Sequence, residues 1–162
     1  MLDLACGTGR NGLYLLQNNI PVVFADRAPT ALQQVRNSLE SPACRDCRKL
    51  ASLWQVDLEL AQDSPLAANA YGAILVFRYL HRPLLPDIRN AISPGGLLVY
   101  ETFTVDQVAF GRPKNPDFLL QPNELLNRFG DWTVVHSFEG VVESETSTAK
   151  QAIAQIVAVK PA

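Results

Sequence analysis

Short apolar runs alternate along the chain with segments whose apolar residues recur every three or four positions, the periods of buried strands and of one-faced helices. Strands are predicted over Met1 to Ala5, over Pro21 to Ala25 with Asp26 at its end, over Leu53 to Val56 with Asp57 at its end, and over Tyr71 to Phe77. Helices are predicted between them. One covers Gly9 to Asn19, with Leu13, Leu16 and Tyr14 facing inward. The next covers Pro29 to Leu39, with Pro29 in the first turn, where its missing N–H costs little. Ser41 to Lys49 reads as a loop. A helix over Leu84 to Ile92 stops at Ser93-Pro94-Gly95-Gly96, and a fifth strand follows over Leu97 to Thr102. Val105 to Leu120 is irregular and rich in Gly, Pro and Asn, and Pro122 to Phe129 is a short helix. Trp132 to Glu139 and Ala152 to Val159 are the last two strands, joined by the polar stretch Glu143 to Thr148.

Strands separated by helices need right-handed crossovers, which make the sheet mainly parallel. The last two strands lack an intervening helix and pair as a hairpin, so the sheet ends with an antiparallel strand. The expectation is a Rossmann-like α/β fold, doubly wound around a mostly parallel sheet, in one domain over residues 1–162. Composition fits this: 162 residues suit one core. Apolar residues make up 48% and charged residues 19%, as in ordinary globular chains. A net charge of −2 supplies no positive field for nucleic acid or an anionic membrane, so neither partner is expected. No apolar run approaches the ~20 residues of a membrane helix. No signal peptide is visible, and the expected location is cytoplasmic. Cys44 and Cys47 have the spacing of half a zinc site, but there is no second pair, so no metal is expected.

The chemistry concentrates in Leu2-Asp3-Leu4-Ala5-Cys6-Gly7-Thr8-Gly9-Arg10-Asn11-Gly12. The run follows a strand and opens a helix. Gly7 and Gly9 permit a tight turn and close backbone approach, and the helix start offers unpaired N–H groups. Gly7-x-Gly9-x-x-Gly12 also matches the dinucleotide-binding pattern, and Asp26 stands where a ribose-binding acid belongs in either case. Loop and acid together indicate an adenosine-containing cofactor without choosing one. Asp3 bears on the choice: a carboxylate there repels a pyrophosphate and favours an aminoacyl sulfonium, which carries an ammonium group. Its other role is to cap the loop by accepting backbone N–H bonds. Asp57 can accept from an adenine amino group while the Leu58 N–H reaches a ring nitrogen; the alternative is an ordinary polar strand end.

In residues and order the chain resembles the class I S-adenosylmethionine-dependent methyltransferases. Asp3-x-x-Cys6-Gly7-Thr8-Gly9 resembles their first motif, Asp26 their ribose-binding acid, Asp57-Leu58 their adenine contact, and Ser93-Pro94-Gly95-Gly96-Leu97-Leu98 the turn before their fifth strand. Ala5 replaces the first loop glycine of many members. The resemblance implies a seven-stranded sheet of order 3-2-1-4-5-7-6 with strand 7 antiparallel. It implies S-adenosylmethionine as cofactor, with Ala5, Gly7, Gly9, Arg27 and Phe77 joining Asp3, Asp26, Asp57 and Leu58 around it. Within the class the chain is similar to small-molecule methyltransferases, including the tellurite-resistance type. The competing expectations are an NAD-binding oxidoreductase and a non-catalytic cofactor-binding or scaffold domain.

Substrate candidates lie at the carboxyl ends of strands four and five, where ligands of open α/β sheets bind. His81, titratable near neutral pH, and Tyr79 are the catalytic candidates. Arg78, Arg82 and Arg112 are candidates for binding an anionic acceptor, with Glu101 beside them. The alternative for each arginine is a structural pair with Glu101 or Asp117, and for His81 a capping role. Helices normally precede the first strand in the resembled family, whereas here only Met1 precedes Leu2. The expectation is a domain lacking its N-terminal lid, with a wet, weakly binding site and apolar surface that a homodimer would cover.

Overall fold

The structure is a computed structural model that describes residues 1–60, 65–143 and 149–162. Seven strands form one sheet: β1 (Leu2–Leu4), β2 (Val22–Asp26), β3 (Ala51–Gln55), β4 (Tyr71–Phe77), β5 (Ile92–Phe103), β6 (Thr133–Glu143) and β7 (Lys150–Val159). Their order is β3-β2-β1-β4-β5-β7-β6. The strands from β3 through β5 pair in parallel, and β7 runs antiparallel to both β5 and β6. This is the architecture the crossover argument and the resemblance imply.

Four helices pack on the sheet: α1 (Arg10–Gln17), α2 (Pro29–Leu39), α3 (Leu85–Ala91) and α4 (Glu124–Phe129). The two faces hold separate cores. Val22 and Phe24 of β2 pack with Leu16, Leu32, Val35 and Leu39 under α1 and α2. Alternation along the strand sends Ala25 to the other face, where Ile74, Val76, Leu98, Tyr100 and Ile156 meet Leu85, Ile88, Leu125 and Phe129 of α3 and α4. Cys44 and Cys47 are buried free thiols in the first core, filling it as small apolar groups.

Some elements differ from the pattern-based expectation. Tyr14 faces solvent, 67% exposed, because Gly12 and Leu16 set the buried side of α1. Ser41 to Lys49 contains two short 3₁₀ turns, and β3 begins at Ala51, two residues earlier than expected. Ser93 to Gly96 bulges out of the β4–β5 ladder, which pairs Tyr71 with Ile92 and resumes at Ala73 and Leu97. Lys160 locks that turn. Its N–H donates to the Gly96 carbonyl, and its ammonium donates to the carbonyls of Arg89 and Ile92 at the end of α3. In the expected linker from Glu143 to Thr148, residues 144–148 lie outside the described residues. No helix among the described residues is long and apolar enough to cross a membrane.

Candidate active site

The glycine loop is built around two carboxylates, the buried Asp3 and the half-buried Asp26. After β1 the chain turns through Ala5, Gly7 and Gly9, with φ of 53°, 55° and 75°. A Cβ on Gly7 would meet nothing within 4 Å, so the loop presents open backbone there. Gly12 is constrained by space: a Cβ would stand 2.6 Å from Asp3 Oδ2 and against the Phe24 ring. That close approach lets the Gly12 N–H donate to Asp3 Oδ2 at 3.0 Å. Asp3 is 3% exposed and lies behind the loop, so the capping contact is the one it makes. Burial pushes its carboxyl up to about 7; the Asp26 charge adds to this, and the Gly12 N–H opposes it. Asp26 accepts from the Gly7 N–H through Oδ2 and from the Ala28 N–H through Oδ1, both at 2.8 Å. It thereby ties the loop to the start of α2. The Cys6 thiol beside these acids is pushed up to about 12 by burial and by the charges of Asp3 and Asp26, which leaves it unreactive.

A cleft of about 440 Å³ opens at the carboxyl ends of the parallel strands. Ala5, Asp26 and Arg27 border it from one side, Asp57 and Leu58 from the next strand end, and Tyr79 from just beyond β4. Thr102, Phe103, Pro113 and Phe118 form the far wall. Asp57 Oδ1 accepts the Glu59 N–H at 3.0 Å, a turn that carries Leu58 and Glu59 to the rim. Arg27 and Glu59 approach to 3.8 Å, an open ion pair of little energetic weight. The Tyr79 hydroxyl is buried and finds no hydrogen-bond partner within bonding geometry among the described residues, although Glu59 is near. Burial and the Glu59 and Asp57 carboxylates hold its proton far more tightly than an ordinary tyrosine's.

The remaining sequence candidates are dispersed. Phe77 and Glu101 border a second groove of about 1000 Å³ on the sheet face beside α1, and Arg78 borders both spaces. Arg78, a non-glycine residue at φ 56°, pairs with Glu101 at 3.0 Å, donates to Gln151 Oε1 at 2.9 Å, and lies 4.4 Å over the Phe103 ring. Arg82 does not face the cleft. Its guanidinium forks onto Glu124 with two contacts of 2.8 Å and donates to the carbonyls of Asp117 and Leu119. Arg112 is exposed, and its side chain forms no ion pair among the described residues, while Pro113 after it borders the cleft. His81 is half-buried, its carbonyl accepts the Leu84 N–H at 3.0 Å to open a 3₁₀ turn, and its side chain borders neither space. Glu59 and Leu80 also line the cleft and carried no motif; the signal for Glu59 was its place two residues after Asp57, in the same turn. Among the described residues no group of three or more His, Cys, Asp or Glu is placed to hold a metal.

Comparison with known proteins gives a family and a fold. No curated protein sequence matches significantly. Among solved structures, TehB from Haemophilus influenzae superposes with a TM-score of 0.77 at 22% identity, covering 98% of this chain and 56% of that one. The chain thus spans little more than half the length of that relative. The glycopeptide N-methyltransferase MtfA, solved with S-adenosyl-L-homocysteine, gives 0.68 at 16% identity, covering 99% and 80%. The [4+2]-cyclase SpnF gives 0.75 at 15% identity, covering 99% and 73%. The family model of tellurite resistance protein TehB matches residues 1–153, and the chain therefore belongs to the TehB family.

Proposed function

We propose that the chain is an S-adenosylmethionine-dependent methyltransferase acting on a small-molecule acceptor. One observation carries the reading: the fold brings Asp26, Asp57 and Ala5 of the glycine loop to a single cleft at the strand ends. The acids stand one strand apart because β2 and β3 are parallel and in register, with Asp26 opposite Gln55 and Asp57 just beyond. That spacing suits one acid on a ribose and the other on an adenine amino group. Asp3 lies behind the loop, and its ionised form favours an ammonium group and disfavours a pyrophosphate. The antiparallel β7 between β5 and β6 also departs from the all-parallel dinucleotide order, which weighs against an NAD enzyme. The methyltransferase MtfA, solved with S-adenosyl-L-homocysteine on the same fold, supports the cofactor. Three free thiols fit a reducing compartment such as the cytoplasm.

When bound, S-adenosylmethionine supplies a methyl group on a sulfonium for in-line displacement. The work left to this chain is chiefly alignment and exclusion of water. Tyr79 keeps its proton, and its buried hydroxyl does not serve as a base. His81 contributes nothing to the cleft wall. Arg78 and Glu101, at the junction of cleft and groove, are the groups that orient a polar acceptor. No histidine borders the cleft among the described residues, which favours an acceptor that arrives as a ready nucleophile, such as a soft anion.

Calorimetric titration with S-adenosylhomocysteine tests the cofactor. Transfer of a labelled methyl group to a panel of thiols, amines, selenite and tellurite tests the reaction; the last two are included because of the family's description. The cyclase among the neighbours favours a second reading, a cofactor-type cleft that serves another reaction. Tight binding without transfer to any acceptor in the panel would select it.

A further inference from the structure

The guanidinium of Arg82 is occupied away from the cleft, yet it governs the cleft wall. Nε and NH2 each donate at 2.8 Å to one oxygen of Glu124. NH1 donates to the Asp117 carbonyl at 3.1 Å and NH2 to the Leu119 carbonyl at 2.8 Å. These two carbonyls flank Phe118, whose ring borders the cleft while the residue is 49% exposed. Glu124 is fixed in turn: its Oε2 also accepts the Gln121 N–H at 2.9 Å, at the entry to α4. Burial alone would push the Glu124 carboxyl up, but the Arg82 and Gln121 donors more than offset it and keep it charged. The opposite wall has its own anchor, because the Tyr100 hydroxyl donates to the Tyr79 carbonyl at 3.0 Å.

We propose that Arg82 is a positioning residue which, braced by Glu124, clamps the peptide carbonyls on both sides of Phe118 and so sets the aromatic wall of the cofactor cleft. A planar fork with five fixed donors can hold a carboxylate and two carbonyls at once; a lysine ammonium cannot. The end of the segment is also held by burial of Leu119 and Leu120 and by the Leu120 N–H, which donates to the Phe103 carbonyl at 2.9 Å, so the clamp bears mainly on the residues before them. The Asn115 side chain accepts the Asp117 N–H, and the Phe118 and Leu119 N–H groups close a single 3₁₀ turn onto Asn115 and Pro116. Without the clamp, Asp117 and Phe118 keep only that turn, while Leu119 and Leu120 stay buried.

The inference rests on the cofactor reading, and one experiment separates the two. S-adenosylhomocysteine affinity is measured by calorimetry for the wild type, Arg82→Gln, Arg82→Lys, Phe118→Ala and the Arg82→Gln/Phe118→Ala double variant. Amide exchange at Phe118 and Leu119 is followed in parallel. The expected result is that Arg82→Gln speeds exchange at both amides and weakens binding about fivefold, and that Phe118→Ala weakens it similarly. The double variant should then bind no worse than either single one, since removing the clamp means nothing once the ring is gone. Arg82→Lys retains the charge and should restore less than half of the loss; should Arg82→Gln fail to fold, the same cycle is run with Lys. Multiplying effects in the double variant, or fast exchange with unchanged affinity, would overturn the clamp and leave the cofactor reading standing. A wild type that does not bind S-adenosylhomocysteine overturns the cofactor reading itself.

Discussion

Replacing Asp3 with Asn should make the protein more stable above neutral pH and leave it unchanged at low pH. Asp3 is 3% exposed, and burial lifts its carboxyl from 3.8 to about 7. The unfolded chain titrates near the lower value and the folded chain near the higher one. Below pH ~4 both states carry the proton, and the contribution of Asp3 is fully present. As pH rises through the window from about 4 to 7, the unfolded state ionises first and stability is lost. Above pH ~7 the loss is complete. A gap of roughly three units at 1.36 kcal/mol per unit makes it on the order of 4 kcal/mol. Asn does not titrate, and its carbonyl oxygen can still accept the Gly12 N–H that Asp3 accepts at 3.0 Å. Urea melts of both proteins at pH 5 and pH 8 give the difference directly. The variant should gain on the wild type by about 2–4 kcal/mol between these two pH values. Parallel stability curves would refute the claim that a charge buried behind the loop is costly. They would mean that the Gly12 N–H and its neighbours already solvate the carboxylate.

Four other substitutions test the loop and the cleft. Gly12→Ala forces a Cβ against Asp3 and the Phe24 ring and should cost about 1–3 kcal/mol in a chemical melt, while a neutral result would show that α1 can slide. Ala5→Gly relieves a left-handed residue at φ 53° and should be neutral or stabilising by under about 1 kcal/mol, because relief of roughly 1–2 kcal/mol is partly offset by glycine's unfolded-state entropy. Asp26→Ala removes acceptors for the Gly7 and Ala28 N–H groups; it should cost about 1 kcal/mol of stability and at least tenfold in S-adenosylhomocysteine affinity, and unchanged binding would remove Asp26 from the site. His81→Gln should leave both melting temperature and S-adenosylhomocysteine affinity unchanged, and a large loss of affinity would return His81 to the cleft.

The strands and their mainly parallel pairing were legible because they follow from local pattern, whereas the order of the sheet came from the family resemblance. Each buried strand reads as a short apolar run, and Asp26 and Asp57 stand just where two of those runs stop. Parallel pairing then forces their ends to the same side. The inward face of α1 was legible only in part: the helix has eight residues, so periodicity offers few turns to average over, and Tyr14 fell on the wrong side. Backbone conformation left almost no mark. Ala5 and Arg78 are left-handed at 53° and 56°, and nothing in their identity announces it, since tertiary context holds them there.

The arginines show where sequence reasoning reaches its end. Arg78, Arg82 and Arg112 have the same chemistry and lie near the same strand ends, so pattern gives them one role. What separates them is a carboxylate far away in the chain. Glu124 is 42 residues from Arg82 and belongs to another element, and no spacing rule connects the two. Once they meet, the forked pair is more than half buried, and Arg82 can no longer greet an anionic acceptor at low cost. Arg78 meets Glu101 instead, on the adjacent strand, in a pair buried to a similar degree, but it borders the cleft. Of the three arginines only Arg78 borders the cleft, so under the proposed reading an acceptor's charged group is to be sought there.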